Sequence, residues 1–162
     1  MYIAVKEKPS LDSKDRQILD ALQHDAMTPI AEIAERVGLS TTPCWRRIQR
    51  LEQGGVIRRR VALLDPQSLN VPVSVFVAVR TNRHSAAWVT QFRRTLEAIP
   101  EIVEAYRMSG EIDYLLRVVV PDIAGYDLVY KQLIDKIEFA DVTSSFSMEE
   151  LKHTTALPLN YA

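Results

Sequence analysis

Two short helical patterns joined by a tight turn constrain how the first sixty residues can fold. Residues 28–38 carry apolar side chains at helical spacing and end in Gly38, which suits the left-handed conformation common after a helix. A second helical pattern starts only two residues later, at Ser40, and ends at Gly54 and Gly55. Short helices joined in this way are typical of a helix-turn-helix.

A helix before this motif completes a three-helix unit. Asp12 or Ser13 can cap its first turn, and Asp15 suits the positive end of the helix dipole. For the next helix, we predict Thr28 as the N-cap with Pro29 in the first helical position. Apolar residues at helical spacing give each of these helices one face to bury.

The third predicted helix has one apolar side and one side rich in hydrogen-bonding groups. At 3.6 residues per turn, Cys44, Ile48 and Leu51 fall together. The opposite side carries Thr42, Arg46, Gln49, Arg50 and Gln53. It has no acidic residue, and arginine and glutamine match the donors and acceptors of base edges in a major groove. We therefore predict that this side faces DNA.

Arginines also follow the third helix, at residues 58–60, where we predict a strand that forms a wing touching phosphates. The predicted DNA contacts are Ser40, Thr41, Thr42, Trp45, Arg46, Arg47, Gln49, Arg50, Arg58, Arg59 and Arg60. The alternative is a solvated arginine face, with Trp45 packing at the helix edge. Cys44 is read as a small buried hydrophobe, with a redox thiol as the alternative.

Charge is distributed unevenly along a chain whose net charge is only -1. Residues 1–61 hold 11 Lys/Arg against 8 Asp/Glu, and the remainder holds 9 against 13. A basic piece joined to an acidic piece suggests that the first binds a polyanion. No apolar run approaches the roughly 18 residues needed to span a membrane, and the N-terminus is a poor signal peptide. We expect a cytoplasmic protein without membrane contact.

From residue 72 onward, strand and helix patterns follow in the order βαββαβ. The first strand alternates from Val73 to Val79, and Pro100 ends the helix after it. The expected fold class is α+β: a winged helix-turn-helix domain at 1–61, a linker strand at 62–71 and a ferredoxin-like domain at 72–162. One sheet face keeps apolar side chains, and a second copy of the domain is its usual cover.

Residues for catalysis or for holding a cofactor are not grouped anywhere in the sequence. It contains no acid–base pair, Ser-His-Asp set, phosphate loop or metal-ligand cluster, so we expect no enzyme, no metal and no cofactor. One rival is an amino-acid-metabolising enzyme with a ferredoxin-like regulatory domain, which needs a catalytic domain as well. Another is a helix-turn-helix used for protein contact, which predicts a less basic helix face.

Motifs in both halves resemble the Lrp/AsnC (feast/famine) transcriptional regulators. The family pattern Leu-Asp-x-x-Asp-x-x-Ile-Leu is matched at residues 11–19, and Val-Gly-Leu-Ser at residues 37–40. Pro-Cys/Val-x-x-Arg-x-x-x-Leu-Glu is matched at residues 43–52, and Ser-Gly-x-x-Asp-Tyr-Leu at residues 109–115. The likeness covers about residues 11–158 and implies a regulator that binds double-stranded DNA.

The resemblance also implies a homodimer, with tetramers or octamers as larger assemblies, and a small effector, commonly an amino acid, between dimers. In the implied site, amides near Gly110 approach a carboxylate and Asp113 pairs with an ammonium. The implied effector contacts are Ser109, Gly110, Glu111, Asp113 and Tyr114, with Ile123, Ser145 and Ser147 on the opposite wall. A plain hairpin is the alternative. In its detailed sequence the chain most resembles the branch with cysteine-responsive members. For the identity of the effector, leucine, another amino acid or no ligand remain as alternatives.

Overall fold

The chain forms two compact units, which the computed structural model describes over residues 10–83 and 85–162. The first unit comprises residues 10–63 together with Lys152–Ala162, and the second is Leu64–Leu151. The sequence-based boundary placed residues 152–162 in the second domain, whereas they lie with the first unit. The N-terminal stretch that we judged a poor signal peptide lies outside the described residues.

Three helices build the first unit: α1 (Ser13–His24), α2 (Ile30–Val37) and α3 (Thr41–Gln53). Asp12 caps α1 as predicted, in a capping box in which its side chain accepts from the Asp15 backbone and Asp15 accepts in return. The buried core consists of Ile18, Leu19, Ile33, Ala34, Val37, Cys44, Ile48 and Leu51. Cys44 is fully buried, and desolvation raises the pKa of its thiol, which fits the structural role.

The turn between α2 and α3 is held at its glycine. Gly38 has φ 65°, in the left-handed region as predicted, and the Lys14 ammonium donates to the Val37 carbonyl. The start of α2 differs from the prediction by one residue, because Pro29 stays extended at ψ 140° and is itself the N-cap. Thr28 lies buried ahead of it, and α2 has no side-chain cap.

No wing strand is present after α3 in the part of the chain described. Residues 58–65 run without regular structure, and turns follow at residues 66–70, so both the wing strand and the linker strand at 62–71 are absent. A strand requires a hydrogen-bonding neighbour, and no described strand pairs with these residues. The arginines that follow α3 suggested a strand here, and the neighbouring Val61 and Leu63 are exposed.

The C-terminal segment packs on α1 within the first unit. Gln23 makes two hydrogen bonds to the backbone of Leu157, donating to its carbonyl at 3.2 Å and accepting from its amide at 2.9 Å. Arg16 donates to the Ala162 carbonyl oxygen at 2.9 Å, and Leu159 packs against the three-helix core. The unit is therefore built from two separate stretches of the chain.

The second unit has the predicted βαββαβ order. Its elements are β1 (Val73–Arg80), α4 (Ala86–Glu97), β2 (Ile102–Arg107), β3 (Tyr114–Val120), α5 (Ile123–Lys136) and β4 (Asp141–Phe146). The strands form one antiparallel sheet in the order β2-β3-β1-β4, which is the ferredoxin-like arrangement. This confirms the expected α+β fold class.

One face of the sheet is buried and the other is open to solvent in the single chain. Val75, Val77 and Val79 are fully buried on the first face, because their alternate positions all point toward the helices. There Phe92 stacks on Trp88 at 4.9 Å and meets Tyr114 edge-on at 4.8 Å. On the open face, Phe76 is 40% exposed. Apolar surface on this open face is therefore left uncovered at Phe76.

Candidate nucleic-acid interface and effector cleft

The outward side of α3 presents polar side chains to solvent. Thr41, Thr42 and Arg46 are exposed, as is Ser40 at the N-cap. The Arg46 side chain makes no hydrogen bond or ion pair with any residue that the structure describes. It lies on the helix side opposite Ile48, which is 1% exposed in the core. Arg46 is thus available for a partner outside the chain.

Two other arginines of α3 are held by one buried carboxylate of α1. Asp15 is 1% exposed, and its two oxygens take separate guanidinium groups: Oδ1 from Arg47 at 2.8 Å and Oδ2 from Arg50 at 2.5 Å. Arg47 also donates to Asp12 at 2.6 Å, and its side chain is only 28% exposed. Arg47, predicted as a DNA contact, therefore links α1 to α3, whereas the Arg50 side chain remains 59% exposed.

Asp12 titrates below its usual range as a result of this arrangement. The backbone N–H of Asp15 and then the guanidinium of Arg47 lower the pKa of Asp12 below its ordinary value of 3.8, since both stabilise the charged carboxylate. The sequence indicated Asp12 as a candidate cap and Asp15 as a residue that suits the helix dipole, but gave no sign that they hold arginines. The spacing of Arg47 and Arg50, one turn apart on α3, is the signal that could have suggested a shared acid.

Some of the remaining predicted DNA contacts bond residues of their own chain, and others are exposed to solvent. Arg60 donates to Glu52 at 2.9 Å, and Gln49 donates to the same carboxylate at 3.1 Å. Arg58 and Arg59 are exposed, and Trp45 is 48% exposed at the edge of the helix. The outward side of α3 therefore keeps a positive, acid-free surface around Arg46, while Gln49 and Arg60 are partly occupied by Glu52.

In the second unit, the predicted effector turn between β2 and β3 is tightly held by its backbone. The Met108 amide donates to the Asp113 carbonyl at 2.8 Å, which closes the turn. Gly110 has φ 120°, a region that side chains rarely adopt, so the turn favours glycine although a Cβ there would meet nothing within 4 Å. The Asp113 carboxylate accepts from the Thr81 amide at 2.8 Å, tying the turn to the end of β1.

An open cleft of about 420 Å³ lies beside this turn, lined by Arg80, Thr81, Asn82, Glu111, Asp113, Ala140 and Asp141. The side chains of Arg80, Glu111 and Asp141 make no hydrogen bond or ion pair with other described residues. Sequence reasoning found Glu111 and Asp113, and missed the cleft residues from β1 and β4. Arg80 and Asp141 meet through the pairing of β1 with β4, a register that the sequence alone does not reveal.

Four other predicted effector residues lie elsewhere. Tyr114 is buried in the aromatic core, since the side chains of Asp113 and Tyr114 take opposite faces. Ile123 and Ser147 lie at the end of the sheet opposite to the cleft. The two ends are separated by six residue steps along β1, or roughly 20 Å. Ser145 pairs with Phe76 on the open face. A single chain therefore does not bring the two predicted walls together.

Among the residues with a described placement, no group of three or more His, Cys, Asp and Glu could hold a metal ion. None of the described helices is both long and apolar enough to cross a membrane.

Comparison with known proteins assigns the chain to a family. Residues 11–52 match the AsnC-type helix-turn-helix domain, and residues 74–157 match the Lrp/AsnC ligand binding domain. The glutamate uptake regulatory protein of Zymomonas mobilis is 50% identical over 149 residues, 92% of this chain and 91% of that protein. The chain therefore belongs to the Lrp/AsnC family of transcriptional regulators.

Solved structures agree with this assignment. An AsnC family transcriptional regulator from Agrobacterium tumefaciens is 59% identical, with a TM-score of 0.90 over 93% of this chain and 99% of that one. A transcriptional regulator from Neisseria meningitidis, solved as a complex with L-Met, is 36% identical, with a TM-score of 0.89 over 94% and 99%. None of these three names mentions cysteine, so the cysteine-responsive branch is not confirmed.

The lowered pKa of Asp12 predicts a defined acid sensitivity. A carboxyl group whose pKa falls on folding stabilises the fold above its unfolded pKa, and this stabilisation is lost as the pH falls through the folded value. Asp12→Asn keeps a good N-cap but has no charge to titrate. We expect its thermal midpoint to fall less than that of the wild type between pH 5 and about pH 3.

Circular dichroism melts of the full chain at several pH values measure this difference. Asp20→Asn, which removes one charge from the same helix, corrects for the change in net charge. Parallel pH profiles for Asp12→Asn and the wild type would contradict the expected role of Asp12.

Proposed function

We propose that this regulator reads a DNA sequence with the outward side of α3 lying in a major groove. The observation that carries the proposal is the exposed, acid-free side of α3 around Arg46 and Thr42; Arg58 and Arg59, which follow α3 in the sequence, are exposed as well. Arginine at a groove-facing position can bond guanine through two donors, and the neighbouring arginines can bond phosphates. The α3 segment lies within the residues that match the AsnC-type helix-turn-helix domain.

Arg46→Ala tests the DNA-reading face. We expect specific binding to weaken by about 1–3 kcal/mol, the usual value of one bidentate base contact. Because Arg46 makes no bond to its own chain among the described residues, thermal stability should stay at the wild-type level. Fluorescence anisotropy measures binding, with a duplex that the wild type selects from a random library.

Arg93→Ala is the matched control, because it removes an exposed arginine from α4 in the other unit. Wild-type affinity in Arg46→Ala would exclude this residue from the interface. Equal loss in Arg46→Ala and Arg93→Ala would mean that only overall charge matters.

An amino acid is the effector class that suits the cleft between β1, β4 and the 108–113 turn. Glu111, Asp113 and Asp141 offer negative charge for an α-ammonium group, while Arg80 offers donors for a carboxylate. The Neisseria meningitidis relative was solved with L-Met, which supports a ligand of this class. The implied contacts at Ile123, Ser145 and Ser147 would then come from another subunit, because they are distant in one chain.

Asp113→Asn tests the effector cleft. Asparagine still accepts from the Thr81 amide, so the turn should keep its shape, but the charge for the ammonium is lost. The expected result is at least roughly tenfold weaker binding of the amino acid that most raises the wild-type melting temperature in a screen of all twenty. Isothermal titration calorimetry measures the affinity.

Asp127→Asn is the control, because it removes an exposed carboxylate from α5 that, among the described residues, bonds Lys131 alone. DNA binding without effector should persist in Asp113→Asn. Unchanged affinity for the amino acid in that variant would remove Asp113 from the site.

A homodimer is the assembly that covers the open face of the sheet. Phe76 and Tyr106 are 40% and 52% exposed there, beside an ion pair between Arg117 and Glu104 at 2.8 Å. Two copies joined by a symmetric contact would present two α3 helices, which fits two half-sites on one side of the duplex. Tetramers and octamers extend the same assembly, and a cytoplasmic location follows from the DNA partner.

Phe76→Asp tests the dimer. A charge at the centre of an apolar contact is costly to bury, so sedimentation should show a shift from dimer or larger species to monomer. Leu128→Asp, which adds the same charge at an exposed apolar residue of α5, is expected to leave the assembly unchanged. An unaltered sedimentation profile in Phe76→Asp would place the contact elsewhere.

A further inference from the structure

We infer that Asp15, a residue of α1 that is itself out of reach of DNA, is a positioning residue for sequence reading because it fixes the side chain of Arg50. This inference rests on the proposed DNA-reading function of α3. It assigns a role to α1 in reading DNA. It also distinguishes the two exposed arginines of α3, because Asp15 holds Arg50 and no described residue holds Arg46.

The Asp15 carboxylate is itself held from two sides. Its Oδ2 accepts from the Asp12 amide at 3.2 Å, while its own amide donates to Asp12 Oδ1 at 2.8 Å, so the capping box sets its orientation. Its 1% exposure leaves almost no water to compete with the bonds from Arg47 and Arg50. Asp15 is therefore a rigid acceptor for both guanidinium groups.

Arg50 is bound to Asp15 through a single nitrogen. Its Nη2 meets Asp15, and the side chain as a whole stays 59% exposed, so the rest of the guanidinium group keeps unused donors. A long side chain fixed before binding loses less conformational freedom on binding. Arg50 is thus prepared for a directional contact with a base, because its position is set before the DNA arrives.

Arg46 provides the comparison within the same helix. It is also exposed on the outward side of α3, but no described residue holds its guanidinium group. An arginine that is not held can still bond a base, but it loses more conformational freedom on binding. The fixed Arg50 is therefore the residue of this pair whose loss of order should reduce discrimination between sequences.

Asp15→Asn separates positioning from a purely structural role. The variant removes the charge that holds Arg50 and leaves one more uncompensated arginine near the DNA. The ratio of affinities for the selected duplex and a shuffled duplex of equal composition should fall roughly tenfold or more. On the shuffled duplex, the slope of log affinity against log salt should steepen by about 0.9. Loss of fold stability alone would change neither quantity while the protein stays folded.

A double-mutant cycle shows whether Asp15 acts through Arg50. Arg50→Gln alone should lower the specificity ratio, and Asp15→Asn added to Arg50→Gln should lower it little further. Independent, additive losses would overturn the inference. Asp20→Asn, on the same helix, is the control, and it should keep the wild-type ratio.

A measurement on the wild-type chain keeps the inference testable if Asp15→Asn does not fold. Nitrogen-15 relaxation of the arginine Nε–H groups, without DNA, should give a higher order parameter for Arg50 than for Arg46. Equal mobility of the two groups would overturn the inference.

The outcomes also distinguish a failure of this inference from a failure of the proposed DNA-reading function of α3. If the wild type selects no sequence from the library, the DNA-reading function and the role of Asp15 fall together. If the wild type selects a sequence and Asp15→Asn keeps the specificity ratio, only the role of Asp15 falls.

Discussion

The DNA-binding unit depends on a buried carboxylate that faces two guanidinium groups. Asp15 joins α1 to α3 through Arg47 and Arg50, and it also completes the cap at the start of α1. A buried ion pair contributes little net stability compared with apolar packing, but removing one partner leaves an uncompensated charge in the interior. The bonds from Asp15 to Arg47 and Arg50 tie α3 to α1.

The elements that depend on neighbouring residues could be predicted from the sequence. Gly38 ends α2 because only a residue without a side chain enters the left-handed region freely, so the turn of the motif was visible in the pattern. Alternation from Val73 to Val79 likewise predicted a strand with one buried face. The apolar side of α3 followed from helical spacing, and its opposite side, with Arg46, is exposed as predicted.

Features that depend on long-range partners could not be predicted. Residues 58–60 were predicted as a wing strand, but no described strand pairs with them, since pairing is decided by the whole fold. The pairing of Arg47 with Asp12 spans 35 positions, and the cleft joins Arg80 to Asp141 through sheet register. Ile123 and Asp113 were grouped by family likeness, whereas the sheet holds them at opposite ends.

The docking of the C-terminal segment on α1 makes the boundary of the DNA-binding unit differ from its position in the sequence. A fragment ending near residue 63 would retain all three helices but lose Leu159 from beside their core and both backbone partners of Gln23. It would expose apolar surface that the intact chain covers. Recombinant work on the DNA-binding unit therefore calls for residues 152–162 to be kept together with the three helices.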